Sequence, residues 1–393
     1  MFYKTVALGK YKISPAWKFS ILLFLVGRIF FSLWGFLIWS FNLVPHYSRT
    51  YYVHIEPITM GVNGALLGMW QRWDAIHYQR IVMFGYEDAQ LTAFFPLYPL
   101  FGKFVSLFTG ASAILSLTLV SSFAFLLSLY YLYEIVADIM SPDLARQTLI
   151  SLLIFPTAFY FYAILPQSLF FLFVLLSYRL ARKEKWILSG IVGLLAGLTH
   201  PLSMALTLLL GWEAYPTIIG KRAGNRIAAG LTPFTNFIGI SGFLVWRKLF
   251  GFPSYTGIQT ENWGTGLHMP WEGLAAIGRF AVQLKLTPVD YVRWLELLFF
   301  ILITGLLVWC VGKLPIGMSL YSLGIMGMFL CTNHVNDPLL GIMRYPVVIF
   351  PLFIAIGAMN RGNKGWQLLK FGLSIVLGFI CITSFFMWSL GFS

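Results

Sequence analysis

An aspartate and a histidine three residues apart, Asp74 and His77, stand in the most polar stretch of an otherwise almost continuously apolar chain. The stretch reads RWDAIHYQRIVMFGYEDAQLTAFFPLYP, residues 72–99, and also holds Arg72, Arg80, Glu87, Asp88 and many aromatic rings. On a helix Asp74, His77, Tyr78 and Ile81 share one face, because residues three and four apart are neighbours. A carboxylate in such a place can take a proton from a hydroxyl. An imidazole beside it can orient that carboxylate or meet an anion. The surrounding Trp and Tyr side chains suit a membrane–water boundary, where an amphipathic ring is stable. The competing reading is an amphipathic connector whose charges face water.

Four further polar features interrupt apolar runs. Leu165-Pro166-Gln167-Ser168 reads first as a turn between two spans. Thr199-His200-Pro201 is another break, with an imidazole that binds a phosphate or hydroxyl or is simply a satisfied structural residue. Asn333-His334-Val335-Asn336-Asp337-Pro338 leads into Arg344-Tyr345-Pro346, where a cation opens an apolar span. An unpaired cation is costly there, so Arg344 either meets a phosphate, whose oxygens its planar fork matches, or snorkels or pairs with Asp337. The fourth feature, residues 248–290, is polar and has no signature of its own.

The elements that position these residues are membrane helices. The chain is 59% hydrophobic and 10% charged, with a mean hydropathy of +0.79, which excludes a soluble globular domain. Apolar runs of spanning length recur from end to end, so the chain is all-α and polytopic and not an outer-membrane barrel. Cys310, Cys331 and Cys381 all lie in apolar segments and indicate neither a disulfide framework nor a metal cluster. The net charge of +13 follows from the positive-inside rule and does not call for nucleic acid. The first apolar segment lacks a small-residue cleavage site and reads as an uncleaved helix.

Lys4, Lys10, Lys12 and Lys18 place the start of the chain in the cytoplasm. Residues 94–110 are apolar but hold two prolines, Gly102 and Lys103. Laid along the membrane face, they leave the basic segments 179–185 and 221–226 in the cytoplasm. The expected spans are then 17–43, 113–138, 147–164, 167–181, 186–199, 201–219, 227–247, 291–312, 315–332, 341–360 and 367–389. Most of the 27 Lys and Arg residues fall on the cytoplasmic side of this arrangement. Arg28 lies inside the first span and either snorkels or finds a partner. The chain is expected to form one membrane domain. It comprises a seven-helix part, 1–247, with an external segment 44–112; a second external segment, 248–290; and a four-helix part, 291–393.

Missing motifs narrow the chemistry. No GxxxxGK[ST], GxGxxG after a strand or HExxH occurs, and no DxD pair offers to hold a sugar nucleotide through a metal. A transporter would gather ionisable groups at mid-membrane, whereas these polar residues collect at one face.

The 72–99 stretch resembles the PIG-V family of GPI mannosyltransferases and their prokaryotic relatives, whose pattern is close to RWDAxHYxxIAxxGY followed by FFPLYP. Here the matching residues are Arg72 to Tyr78, Ile81, Gly85-Tyr86 and Phe94 to Pro99. Phe155-Pro156-Thr157-Ala158-Phe159 is similar to the family's FPTAFF segment, and Met343-Arg344-Tyr345 through Phe353 to its RY…FPLF segment. Two positions depart: Gln167 stands where the family often has Glu, and His200 where it often has Arg.

The resemblance implies a GT-C glycosyltransferase fold with about eleven transmembrane helices and interfacial helices in the first external segment. It implies inverting transfer of a sugar, mannose above others, from a polyprenyl-phosphate donor to a lipid- or protein-linked acceptor on the non-cytoplasmic face. The membrane is the plasma membrane in a prokaryote or the endoplasmic reticulum in a eukaryote. In this scheme Asp74 is the catalytic base. His77, Arg344, Tyr345, Arg72 and His200 bind the donor phosphate or sugar. Glu87, Asp88, Tyr78 and Gln167 contact the acceptor. No cofactor or metal is expected, because a monophosphate leaving group needs less charge neutralisation than a diphosphate. The alternatives are a GT-C transferase of another sugar, or a lipid or solute transporter without chemistry.

Overall fold

The computed structural model describes residues 14–387 except 42, 44–53, 59, 223, 286, 288, 289, 335 and 360–363. Lys4, Lys10 and Lys12 therefore lie outside the described residues. Among the described residues the chain is helical, with one isolated bridge between Thr265 and His334 and no strand. The first half holds α1 (Pro15–Ser40), α2 (Gly61–Leu66), α3 (Asp74–Phe84), α4 (Leu97–Thr109), α5 (Ala113–Ile139), α6 (Pro142–Leu153), α7 (Gln167–Arg182) and α8 (Trp186–Thr199). The second holds α9 (Leu206–Ile218), α10 (Arg226–Leu231), α11 (Thr235–Leu249), α12 (Tyr255–Trp263), α13 (Pro270–Gln283), α14 (Tyr291–Cys310), α15 (Ile316–Thr332), α16 (Phe350–Ala358) and α17 (Lys364–Phe386).

α1 shows how the sequence sets a membrane helix. Ser14 caps it by accepting from the Trp17 amide at 3.3 Å, and Pro15 pre-sets the first turn. Ala16, Ser20, Leu23, Gly27, Phe31, Gly35 and Ile38 form its buried stripe, while Leu22, Leu25, Ile29 and Leu33 face outward. Such an apolar outer face has no place in water and suits lipid. Four other elements are also long and apolar enough to cross a membrane: α5, the α10–α11 run, α14 and α17. The chain is thus a multi-pass membrane protein.

These five correspond to five of the eleven expected spans. Of the other six expected segments, α7, α8 and α15 keep the expected bounds but are shorter than these five, and three are broken. Segment 147–164 becomes α6 and then a 3-10 turn at Ala158–Phe161. Segment 341–360 becomes a turn, a 3-10 stretch at Pro346–Val348 and the 9-residue α16. Residues Ala158 to Leu165 are fully buried, and local turns satisfy their backbone, as in the 2.9 Å bond from the Ala158 amide to the Phe155 carbonyl. Irregular backbone is tolerated at membrane depth where protein covers it. Hydropathy alone does not separate such a segment from a straight span.

Arg28 has partners. It donates to the Tyr162 carbonyl at 3.2 Å and lies 5.6 Å from the centre of the Trp70 ring, so its charge is met inside the bundle. α8 and α11 approach backbone to backbone where Gly197 and Gly239 leave no room for a side chain.

α4 has 13 residues, about 20 Å at 1.5 Å per residue, short of a hydrocarbon core of about 30 Å. Tyr98, Pro99 and Gly102 face the protein, while Leu100, Phe104, Leu107 and Phe108 are exposed. That shape fits a helix lying along the membrane face. The basic segments expected on one side do share a face: Arg222 bonds Glu213 at 2.8 Å and lies 3.9 Å from Glu184, and Arg182 also reaches Glu213. Cysteines replacing Lys183 and Lys221 are therefore expected to label together, and only from the cytoplasmic side. Labelling from outside by an impermeant maleimide would refute the expected orientation.

Candidate active site

Two segments 270 residues apart meet at one ion pair: Arg344 Nη1 donates to Asp74 Oδ2 at 2.6 Å. Both side chains line a cavity of about 470 Å³, together with Tyr78, Gln167, His200 and Tyr345. Six of the ten residues singled out in the sequence thus surround one space. Among the described residues no group of three or more His, Cys, Asp or Glu side chains could hold a metal ion.

Asp74 opens α3, where unpaired backbone N–H groups favour a carboxylate. It is placed there by Trp73, whose φ of 52° is unusual for a residue with a Cβ. Such a conformation costs about 1–3 kcal/mol and persists only where surroundings hold it. Here the holding residues are Gln71 and Arg72. Gln71 accepts from the Ile58 amide at 3.0 Å and donates to the Glu56 carbonyl and to Gln79 of α3, both at 3.2 Å. Arg72 donates to the Phe386 carbonyl at 3.0 Å and the Gly68 carbonyl at 2.8 Å. Arg72, expected to bind the donor, is buried outside the cavity and ties α17 to the turn before Asp74.

Three more expectations move. His77 does not line the cavity. Its ring stacks on Phe94 at 4.9 Å and meets the edge of Trp263 at 6.2 Å, so it backs two cavity-lining rings. The helical spacing explains this: Asp74 and Tyr78, four apart, both reach the cavity, and His77 is turned aside by one position. Glu87 and Asp88 also lie outside it. Arg80 holds both, donating to Glu87 Oε1 at 2.8 Å and to Asp88 Oδ2, while Asp88 Oδ1 caps the turn at the Leu91 amide. The FFPLYP run is a bracket: Tyr98 packs against Tyr78 and bonds Ser121 at 2.8 Å.

The opposite walls come from breaks between helices. Pro166 and Gln167 start α7 at the cavity edge, and Gln167 Oε1 is buried without a hydrogen-bond partner among the described residues. His200 ends α8, and its Nδ1 accepts the Leu202 amide at 3.2 Å. Burial first, and the nearby Arg344 charge second, push the imidazole down to about 3. With Nδ1 accepting, the neutral ring carries its proton on Nε2 and offers one uncharged donor.

This neutrality has a sign. A cationic histidine would bind phosphate below about pH 6.5 and release it above. With its ordinary value displaced to about 3, His200 is neutral throughout pH 5–8. Replacing His200 by Gln should leave the pH dependence of anion binding in the cavity over that range unchanged. Loss of a step near pH 6.5 in that variant would refute the neutral assignment. Burial also lowers the His77 imidazole, and the Asp74 charge opposes this only in part.

The sequence offered no motif for the last wall. Segment 248–290, expected to be an external loop, contains α12 and α13, and Tyr255, Gln259, Trp263 and Thr265 line the cavity. His334 closes the same side through the Thr265 bridge. Its ring occupies the space that a side chain at Gly264, with φ of 60°, would fill. Only the aromatic and Gly content of 251–271 hinted at such packing.

No family model matches the chain, and no curated protein matches it. Among solved structures it is similar to the Archaeoglobus fulgidus oligosaccharyltransferase tethered with an acceptor peptide containing the NVT sequon. That match has 9% identity, covers 93% of this chain and 55% of the other, and has a TM-score of 0.46. It is also similar to the archaeal oligosaccharyltransferase AglB from Archaeoglobus fulgidus in complex with an inhibitory peptide and a dolichol-phosphate. There the identity is 10%, the coverage 94% and 56%, and the TM-score 0.45. The chain spans about half the length of these structures.

Proposed function

We propose that this protein is an integral-membrane GT-C glycosyltransferase that moves a sugar, mannose above others, from a polyprenyl-phosphate donor to a hydroxyl of a lipid- or protein-linked acceptor. The observation that carries this reading is the meeting of Asp74 and Arg344 in one cavity. The two belong to the two separate segments that resemble the PIG-V mannosyltransferases.

The chemistry follows from what the side chains are. Asp74 is the one carboxylate among the cavity-lining residues, and it takes the proton of the acceptor hydroxyl. The hydroxyl oxygen bonds to the anomeric carbon as the bond from that carbon to the phosphate oxygen breaks. The lipid phosphate leaves with the electron pair from the opposite face, and the anomeric configuration inverts. Arg344 meets the charge that builds on the leaving phosphate, and His200 adds a neutral N–H donor. Gln167 and Tyr345 contact the sugar or acceptor, while Trp263 and Phe94 give the cavity an apolar wall. His77, Arg72, Glu87 and Asp88 act by positioning: the first backs the wall, the second holds the turn before Asp74, and the acids hold Arg80. Arg344 makes a metal unnecessary in this scheme, so chelators should leave the rate unchanged.

The test is donor choice. Purified protein is expected to transfer mannose from synthetic polyprenyl-phosphate mannose, with product identified by mass, and not from a nucleotide-activated sugar. Transfer from the nucleotide sugar alone would refute the proposal.

A further inference from the structure

The 2.6 Å ion pair sets the base against the phosphate ligand. Asp74 Oδ2 is engaged by a guanidinium, and a carboxylate held this way turns a lone pair to Arg344 and away from a hydroxyl. The contact runs through a single nitrogen, Nη1, and Asp74 is the only hydrogen-bond acceptor on the Arg344 fork among the described residues. The pair is neither sealed nor solvated: the side chains are 24% and 19% exposed, at the wall of the 470 Å³ cavity. Arg344 is thus half committed, with Nε and Nη2 left for a ligand.

We infer that the phosphate ester of a lipid-linked ligand entering the cavity takes Arg344 from Asp74, and that this exchange is what frees the carboxylate to act as a base. The inference rests on the reading of the two residues given above and adds an order to it. A phosphate offers two oxygens to two N–H groups of the fork, where Asp74 offers one oxygen to one. The exchange therefore gains contacts for the cation while it releases the carboxylate. No proton moves: Arg344 stays a cation, and Asp74 stays an anion until a hydroxyl arrives. Two consequences follow. The donor binds before the acceptor is activated, and a hydroxyl compound entering an empty cavity meets a carboxylate with one oxygen already engaged by Arg344. Asp74, beyond its part in proton transfer, opposes donor binding.

That opposition gives the test its sign. Farnesyl phosphate, which carries neither sugar nor acceptor, is titrated into the purified full-length protein by calorimetry. If phosphate must displace Asp74 from Arg344, Asp74→Asn binds farnesyl phosphate more tightly than the wild type, on the order of tenfold to a hundredfold. Removing an anion also relieves simple repulsion, and Arg344→Gln measures that share. In the Arg344→Gln background the same Asp74→Asn change should alter affinity no more than a few-fold. Asp74→Ala should give the same sign and replaces Asp74→Asn if the amide variant fails to fold. Equal or weaker binding by these variants would overturn the exchange and mean that Arg344 holds both anions at once. A gain equally large in the Arg344→Gln background would overturn it too, leaving repulsion alone. If farnesyl phosphate binds none of the proteins, wild type included, the phosphate-donor reading fails and the exchange falls with it.

Discussion

Asp74→Asn is expected to lower sugar-transfer turnover by about 10²–10⁴-fold, the usual contribution of a positioned general base. The substitution is nearly isosteric and leaves Trp73, Gln71 and Arg72 to hold the start of α3 as before. Folding should therefore survive, as judged by an unchanged thermal transition, and the loss should appear in kcat. Glu87→Gln and Asp88→Asn should cost much less, because Arg80 turns those carboxylates away from the cavity. A well-folded Asp74→Asn protein with near-normal turnover would remove Asp74 from the role.

The second large effect is expected at Arg344. Arg344→Lys keeps the charge but loses the planar fork that meets two phosphate oxygens at once. Charge-assisted hydrogen bonds are worth about 1.5–3 kcal/mol, so the loss should weaken donor binding roughly 10- to 100-fold. The Michaelis constant for the donor carries this effect, and the constant for the acceptor should change little. Donor affinity equal to the wild type would mean that Arg344 serves only to pair with Asp74.

Several of these residues could be read in the sequence, and the reasons differ. Asp74 stood out as an acid in an aromatic, polar stretch, and Arg344 as a cation at the start of an apolar run. Both are expensive to place there without a partner, and each turns out to be the other's partner. Asp337, the partner first considered for Arg344, instead lies 3.7 Å from Arg293. Neighbours in one motif were harder to assign. Arg72, His77 and Asp74 span six residues, yet they point to a carbonyl of α17, to an aromatic stack and into the cavity. Periodicity gives the shared face of a helix, but Arg72 precedes the helix and His77 sits one position off the cavity line.

The second external segment was opaque for another cause. Trp263, Gln259 and Thr265 are brought to the site by the bridge between Thr265 and His334, a contact between residues 69 apart that no local pattern encodes. The helix bounds were legible where the helices run unbroken, α7, α8 and α15 included. Five long apolar helices are evident in both readings. The segments around Pro156 and Pro346 are apolar because they are buried in protein, and burial and lipid exposure leave the same hydropathy.

In the proposed reaction Asp74 activates an acceptor hydroxyl for direct displacement of a lipid phosphate. The measurement that tests it most directly is transfer by purified protein from a polyprenyl-phosphate mannose of known anomeric configuration. Product mass and the anomeric proton signal are read together. The expected result is a mannosylated product of inverted configuration, one polyprenyl phosphate released per transfer, and loss of both in Asp74→Asn. A product of retained configuration, or release of lipid phosphate that Asp74→Asn leaves intact, would contradict it.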